Sequence, residues 1–97
     1  MKGTILRGKL LKLLKDVYPD GMEEQTIIGI YYQHNKVDDI LTELAYLTDK
    51  GYVSQRKTPH PFNANGSICY YKILPQGIDL CEGTLPGDPA ILLQVEA

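Results

Sequence analysis

The stretch of residues 36–53, KVDDILTELAYLTDKGYV, decides the fold. Its apolar residues recur at spacings of three and four, as on the buried side of a helix. They are Val37, Ile40, Leu41, Leu44 and Leu47. Asn35 is a good N-cap before this helix, and Gly51 ends it as a C′ glycine does. The sequence therefore predicts a helix over about residues 36–50, followed directly by a β-prone stretch.

A first helix is predicted at the start of the chain, over residues 4–17, TILRGKLLKLLKDV. Five of its residues form one apolar stripe. They are Leu6, Leu10, Leu13, Leu14 and Val17. Ile5 and Leu11 fall on the flanks of that stripe. We expect both to be exposed and to contribute to a surface that meets a partner.

A shorter helix is predicted between these two, over about residues 22–32. Asp20 and Glu23 have the spacing of a capping box, which marks the start of a helix. Gly29 weakens the helix, so we expect it to allow close packing against a neighbouring helix. His34 and Asn35 then make a tight connection to the third helix.

A β-hairpin follows the third helix. Residues 52–58 and 67–73 are β-prone, and residues 59–66 contain two prolines and Asn-Gly, which predicts a loop between two strands. Phe62 lies in this stiff loop. Its ring either wedges between bases, fills a pocket of a partner or folds back onto the hairpin.

A short fourth helix and a tail complete the chain. Pro75 suits the first turn of the helix, and Gly83 closes it. We predict one domain over residues 1–83 and a tail over residues 84–97. The tail packs on the domain or on a second subunit, because it carries an apolar run. The candidate contacts in that run are Ile91, Leu92, Leu93 and Val95.

The order helix, helix, helix, hairpin is that of a winged helix-turn-helix domain. Residues 41–53, LTELAYLTDKGYV, resemble the LxxLxxxGxV passage from recognition helix to wing in bacterial winged-helix regulators. Residues 71–80, YKILPQGIDL, look like their YxLTPxGxxL passage from wing to helix, with Leu74 in place of the usual capping Thr or Ser. The resemblance covers about residues 4–83.

This pattern is similar to the MarR, PadR and ArsR types, and in size and layout to small winged-helix proteins of Mu-like prophages. The resemblance implies an α+β fold that is mainly α: a three-helix core, a hairpin wing and a short fourth helix. It also implies a transcription regulator that binds double-stranded DNA, and we expect a cytoplasmic homodimer.

The distribution of charge argues against the third helix as the DNA reader. The net charge of −2 conceals four zones of alternating sign. Residues 1–19 carry five basic residues and one acidic residue. Residues 20–49 carry one basic residue and seven acidic residues. Residues 50–72 carry four basic residues and no acidic one, and residues 73–97 carry no basic residue and four acidic. Carboxylates repel phosphates, so we expect the hairpin to make most DNA contacts.

The outer face of the third helix is mostly acidic: Asp38, Asp39, Thr42, Tyr46 and Asp49, with Glu43 at its edge. The candidate DNA-binding residues are therefore the few donors near that helix and those of the hairpin. They are His34, Asn35, Lys36, Thr42, Arg56, Lys57 and His60. The alternative function is a protein-interaction module that uses the acidic helix face or the apolar tail. A homodimer would use Ile5, Leu11, Phe62 and the tail.

Enzymatic chemistry has no support in the sequence. We find no nucleophile elbow, phosphate loop or metal-ligand cluster, and so expect no catalysis, no cofactor and no metal. Cys69 and Cys81 fit small buried residues of a reduced protein. No apolar run approaches the roughly 18–20 residues that span a bilayer. We expect no membrane partner.

Overall fold

Four helices and a three-stranded antiparallel sheet make up the part of the chain that the computed structural model describes, residues 2–91 and 93. In chain order the elements are α1 (Lys2–Val17), β1 (Met22–Glu23), α2 (Glu24–Tyr31), α3 (Val37–Asp49), β2 (Val53–His60), β3 (Asn63–Ile73) and α4 (Pro75–Glu82). The sheet order is β1-β3-β2. The predicted α+β class, with a hairpin after the third helix and a short fourth helix, is confirmed.

The first helix buries a wider stripe than its sequence indicates. Leu11 is fully buried, so the prediction that it is exposed for a partner is wrong. The physical reason is that α1 contacts α3, α4 and β3, which together cover more than one side of it. Ile5, on the other flank, is about half exposed, as expected.

The second helix starts later than predicted because the residues before it belong to the sheet. Met22 and Glu23 form β1 and pair with Tyr71 and Tyr70 of β3. Glu23 is the N-cap of α2 and makes no side-chain capping bond, so the predicted capping box is wrong. A β-carbon on Gly29 would meet nothing within 4 Å, so the predicted close packing there is also wrong.

The third helix buries Ile40, Leu44 and Leu47 as predicted, whereas Val37 in its first turn is exposed. Its N-cap is Lys36, not Asn35. The Asn35 side chain instead donates from Nδ2 to the carbonyl of Tyr31, at 3.4 Å, because its backbone still follows the end of α2.

The hairpin is longer than predicted. Its pairing runs from Val53↔Ile73 to Pro59↔Ser67 and ends at His60↔Asn63. Six of the eight residues of the loop predicted over residues 59–66 therefore belong to strands, and residues 61 and 62 form the turn. Pro59 is compatible with β2 because β2 is an edge strand, which is where proline is found in sheets. The pairing is irregular between Pro59 and His60.

The fourth helix closes against the base of the hairpin. Leu74 caps it without a side-chain bond, but its own N–H donates to the carbonyl of Tyr52, at 2.9 Å. A β-carbon on Gly77 would lie 2.5 Å from that same carbonyl oxygen, which only glycine allows. Gly83 ends α4 with φ of 81°.

The start of the tail packs on the domain. Ile91 is buried in the core, and Leu93 packs against it. The interface prediction required Ile91 to be exposed for a second subunit, but its side chain is buried in its own domain. Leu92 and Val95, the other two candidates there, lie outside the described residues.

A carboxylate holds the tail in place. Tyr52 donates its hydroxyl to Oδ2 of Asp88 at 3.0 Å, and the N–H of Ala90 donates to Oδ1 at 2.9 Å. The Ala90 N–H bond, together with those of Tyr52 and Lys50, lowers the pKa of Asp88.

Within residues 2–91 and 93, every helix is too short or too polar to cross a bilayer.

Candidate functional site

The two adjacent cations of β2 lie on opposite faces of the hairpin. Successive side chains of a strand alternate between faces, which separates Arg56 from Lys57. Residues paired across two antiparallel strands share a face. Arg56 pairs with Tyr70, and two residues away Ser54 pairs with Lys72, so Arg56 and Lys72 lie on the same face.

Arg56 and Lys72 are both exposed and line an open hollow of about 560 Å³. We call its lining the basic face: Gly21, Ser54, Arg56, Thr58, Tyr70 and Lys72. No carboxylate among the described residues lines this hollow. The Lys72 ammonium also lies 5.7 Å from the ring centroid of Tyr18. A guanidinium, an ammonium and the hydroxyl groups of Ser54, Thr58 and Tyr70 surround one open surface. Such a set of donors is suited to contact phosphate oxygens.

The opposite face of the hairpin is occupied by a polar network. Tyr71 donates its hydroxyl to Oε2 of Glu24 at 3.0 Å and accepts from Nε2 of Gln55 at 3.1 Å. Burial, and then the bond to Glu24, raise the pKa of the Tyr71 hydroxyl. Lys57 lines a hollow on this side together with Glu23 and Glu24, so its charge lies among carboxylates. This face is less favourable for an anionic partner than the basic face.

The tip of the hairpin projects an aromatic ring. Phe62 is 93% exposed, so the alternative in which it folds back onto the hairpin is wrong. Its N–H donates to Nδ1 of His60 at 3.1 Å, and the two rings meet edge to face at 6.2 Å. His60 thereby positions the tip, in addition to being a candidate contact.

The connection between α2 and α3 lies beside α1. His34, Asn35 and Lys36 line a hollow of about 490 Å³ with Ile5 and Lys9 of α1. Asp39 and Glu43 line the same hollow, so cations and carboxylates alternate there. This mixture favours neither an anion nor a cation.

The outer face of α3 presents acceptors rather than donors. Thr42 donates its hydroxyl to the carbonyl of Asp38 at 2.7 Å, which leaves it only acceptor capacity toward a partner. Asp38, Asp39 and Asp49 are exposed around it. Contacts to phosphates, and most contacts to base edges, require hydrogen-bond donors on the protein. The outer face of α3 is therefore poorly suited to bind DNA.

Glu43, which the sequence places at the edge of that acidic face, is neutralised inside the fold. Nε of Arg7 donates to Oε1 of Glu43 at 2.6 Å, and the two side chains are only 13% and 12% exposed. The guanidinium also lies 3.6 Å from the ring centroid of Tyr46 and donates to the carbonyl of Ala90 at 3.0 Å. Arg7 thus joins α1, α3 and the tail.

The structure brings together part of the predicted site and adds to it. Arg56 belongs to the basic face, whereas Lys57 lies on the other side and His34, Asn35 and Lys36 lie in the hollow beside α1. Lys72 and Tyr70 were not predicted. The alternation of β3 could have revealed Lys72, but only with the register of the hairpin known.

Comparison of the chain with protein-family models, with curated proteins and with solved structures finds no match. In the described part of the chain, no group of three or more His, Cys, Asp or Glu is placed to hold a metal ion. Cys69 and Cys81 are free thiols, and burial raises the pKa of Cys81. The basic face and the hairpin tip are the candidate functional features.

Proposed function

We propose that this chain is a non-enzymatic winged-helix domain that binds double-stranded DNA mainly through the basic face of its hairpin. The observation that carries the proposal is the placement of Arg56 and Lys72 on one open face. Neither forms an ion pair with another described residue. Both cations therefore remain free to neutralise phosphates, which is the main source of affinity for DNA.

The order of elements supports the winged-helix part of the proposal, since a hairpin follows three helices. The sequence resemblance favours a small transcription regulator of the Mu-like prophage type, acting in the cytoplasm as a homodimer. Of the apolar residues proposed for the dimer, Ile5 and Phe62 remain exposed. The third helix, with its exposed aspartates, then lies near the duplex without reading it.

A protein-interaction module is the second candidate function. It is favoured by the start of α3, where exposed Val37 is followed by exposed Asp38 and Asp39, a mixture of apolar and acidic surface that suits a basic protein partner. The version that uses the apolar tail is weaker, because Ile91 is buried.

Fluorescence anisotropy with a labelled DNA duplex tests the proposal. With two or three phosphates neutralised, affinity should fall about 10- to 40-fold as salt rises from about 50 to about 200 mM. R56E should weaken binding at least about tenfold and R56E/K72E should abolish it, since each reversal replaces attraction with repulsion. K57E is the matched control: it adds the same kind of carboxylate at the next residue of β2, on the other face. We expect its effect to stay within about threefold.

Two results would contradict this proposal. Absence of duplex binding by the wild-type chain at low salt would refute it and favour the protein-interaction module. Equal losses in R56E and K57E would show that total charge, not the basic face, determines binding. Circular dichroism of each variant checks that the fold is intact, which we expect because Arg56, Lys57 and Lys72 are exposed.

A further inference from the structure

We infer that Phe62 is a wedge that inserts between base pairs from the minor groove and bends the duplex. This inference rests on the proposed function, because it requires that the hairpin bind DNA. It adds a mode of binding that phosphate contacts alone do not imply: a local unstacking of bases at the hairpin tip.

The exposure of Phe62 is the first argument. The ring is 93% exposed, and the next most exposed large apolar side chain given for the described residues, Tyr32, is 57% exposed and carries a hydroxyl. The ring contact of Phe62 is with the neighbouring His60. A phenyl ring held in water contributes little to the fold, and a partner that removes it from water would gain the free energy of its burial.

The stiffness of the tip is the second argument. Prolines at 59 and 61 restrict the backbone on both sides of His60, whose Nδ1 accepts the N–H of Phe62. Asn63 accepts the N–H of Asn65 through Oδ1 at 3.2 Å, which orders the returning strand. A side chain held in place before binding loses little conformational freedom when it inserts.

The charge of the hairpin selects nucleic acid over an apolar protein pocket. The hairpin strands contain three cations, Arg56, Lys57 and Lys72, and no acidic residue. Arg56 lies six residues before Phe62 on the same ribbon. At the rise of a strand, that places the basic face on the order of 20 Å from the ring. Phosphates would thus meet the cations along the ribbon while the tip reaches the bases.

The base sequence of the duplex sets the energetic cost of such a wedge. Insertion costs least at pyrimidine–purine steps such as TpA, which unstack easily. We therefore expect the wedge to prefer a TpA step.

The test uses the full chain and a duplex with one central TpA step. The adenine of that step is replaced by 2-aminopurine, whose fluorescence rises when it unstacks, and the two ends carry a donor and an acceptor dye. Wild-type protein should raise the 2-aminopurine signal and shorten the end-to-end distance. F62A should lose both signals while its affinity falls only about 3- to 10-fold and its salt dependence stays unchanged.

Controls separate the wedge from other effects. F62L should keep part of both signals, since leucine also serves as a wedge. Y32A removes an exposed aromatic ring away from the hairpin and should match wild type. Thermal unfolding of F62A should equal that of wild type, because the ring is packed against so little.

Each result decides the matter. If wild type and F62A bind with the same signals, or if wild type binds without unstacking, the wedge is wrong while the phosphate contacts of the basic face stand. A Phe62 that fits a pocket of a protein partner would then be favoured. If wild type does not bind the duplex at all, both the wedge and the proposed function are wrong.

Discussion

The first helix and the hairpin carry equal excess charge in the sequence, but the fold uses that charge differently. Residues 1–19 and residues 50–72 each have four more basic than acidic residues. In the first zone Arg7 lies within the fold, bound to Glu43 and stacked on Tyr46. In the second zone Arg56 lies on an open surface without an ion pair among the described residues.

The lysines show the same difference in weaker form. Lys15 of α1 lies 4.0 Å from the carboxylate of Glu82, and Lys50, just before the hairpin, lies 3.5 Å from Asp88. Lys72 is left for solvent and for the ring of Tyr18. The net charge of a segment therefore indicates an anionic partner only when the cations that are paired within the fold are left out of the count.

Replacing Arg7 and Arg56 separately should give the largest difference between the two regions. R7A leaves the partly buried Glu43 without its partner and removes a cation–π contact, so we expect the free energy of unfolding to fall by about 2–4 kcal/mol. R56A should change it by less than about 0.5 kcal/mol, because Arg56 is exposed. Urea denaturation measures both.

DNA binding should show the reverse order. At a temperature where both variants are folded, R56A should weaken duplex binding and R7A should leave it unchanged. R7K, which keeps the charge but not the planar group, should be intermediate in stability. Equal stability losses in R7A and R56A would contradict the assignment of Arg7 to the fold and Arg56 to the surface.

Substitutions at two glycines should change stability by a smaller amount. One of them, Gly77, lies where the fourth helix packs against the base of the hairpin. G77A forces a methyl group against the carbonyl of Tyr52, and we expect a loss of about 1–3 kcal/mol in the free energy of unfolding. G29A has open space in α2 and should stabilise by about 0.5–1 kcal/mol. Thermal unfolding of the pair checks this, and a stable G77A would show that the base of the hairpin is less closely packed.

Local signals predicted the elements that depend on local residues. The spacing of Leu44 and Leu47 gave the buried side of α3, and Gly51 does adopt a left-handed φ of 83°. Pro75 begins α4 and Gly83 caps its end, as predicted. In each case the helix and its ends depend on residues within a few positions of one another.

Features that depend on distant residues could not be predicted in the same way. β1 exists only because Met22 pairs with Tyr71, far along the chain. Leu11 is buried because other elements enclose α1 on several sides. Arg7 and Glu43 are 36 residues apart, and no periodicity relates them.

The candidate site was predicted in part for the same reason. Arg56 was found because a cation on an edge of a hairpin is visible in the sequence, and Phe62 because proline flanks it. Lys72 was missed and Lys57 was not separated from Arg56, because faces are assigned by strand register. Pairing of β2 continues for two residues beyond its predicted end, to His60, and Phe62 lies exposed in the short turn that follows.

The proposed function requires that the hairpin, and not the third helix, make the main contacts with the duplex. A titration of the ¹⁵N-labelled chain with a DNA duplex, followed by amide NMR shifts, tests it most directly. We predict the largest shifts within β2 and β3, around Arg56, Tyr70 and Lys72, and small shifts along α3. If the largest shifts instead lie along Asp38–Asp49 and the hairpin is unchanged, the third helix and not the hairpin binds the duplex.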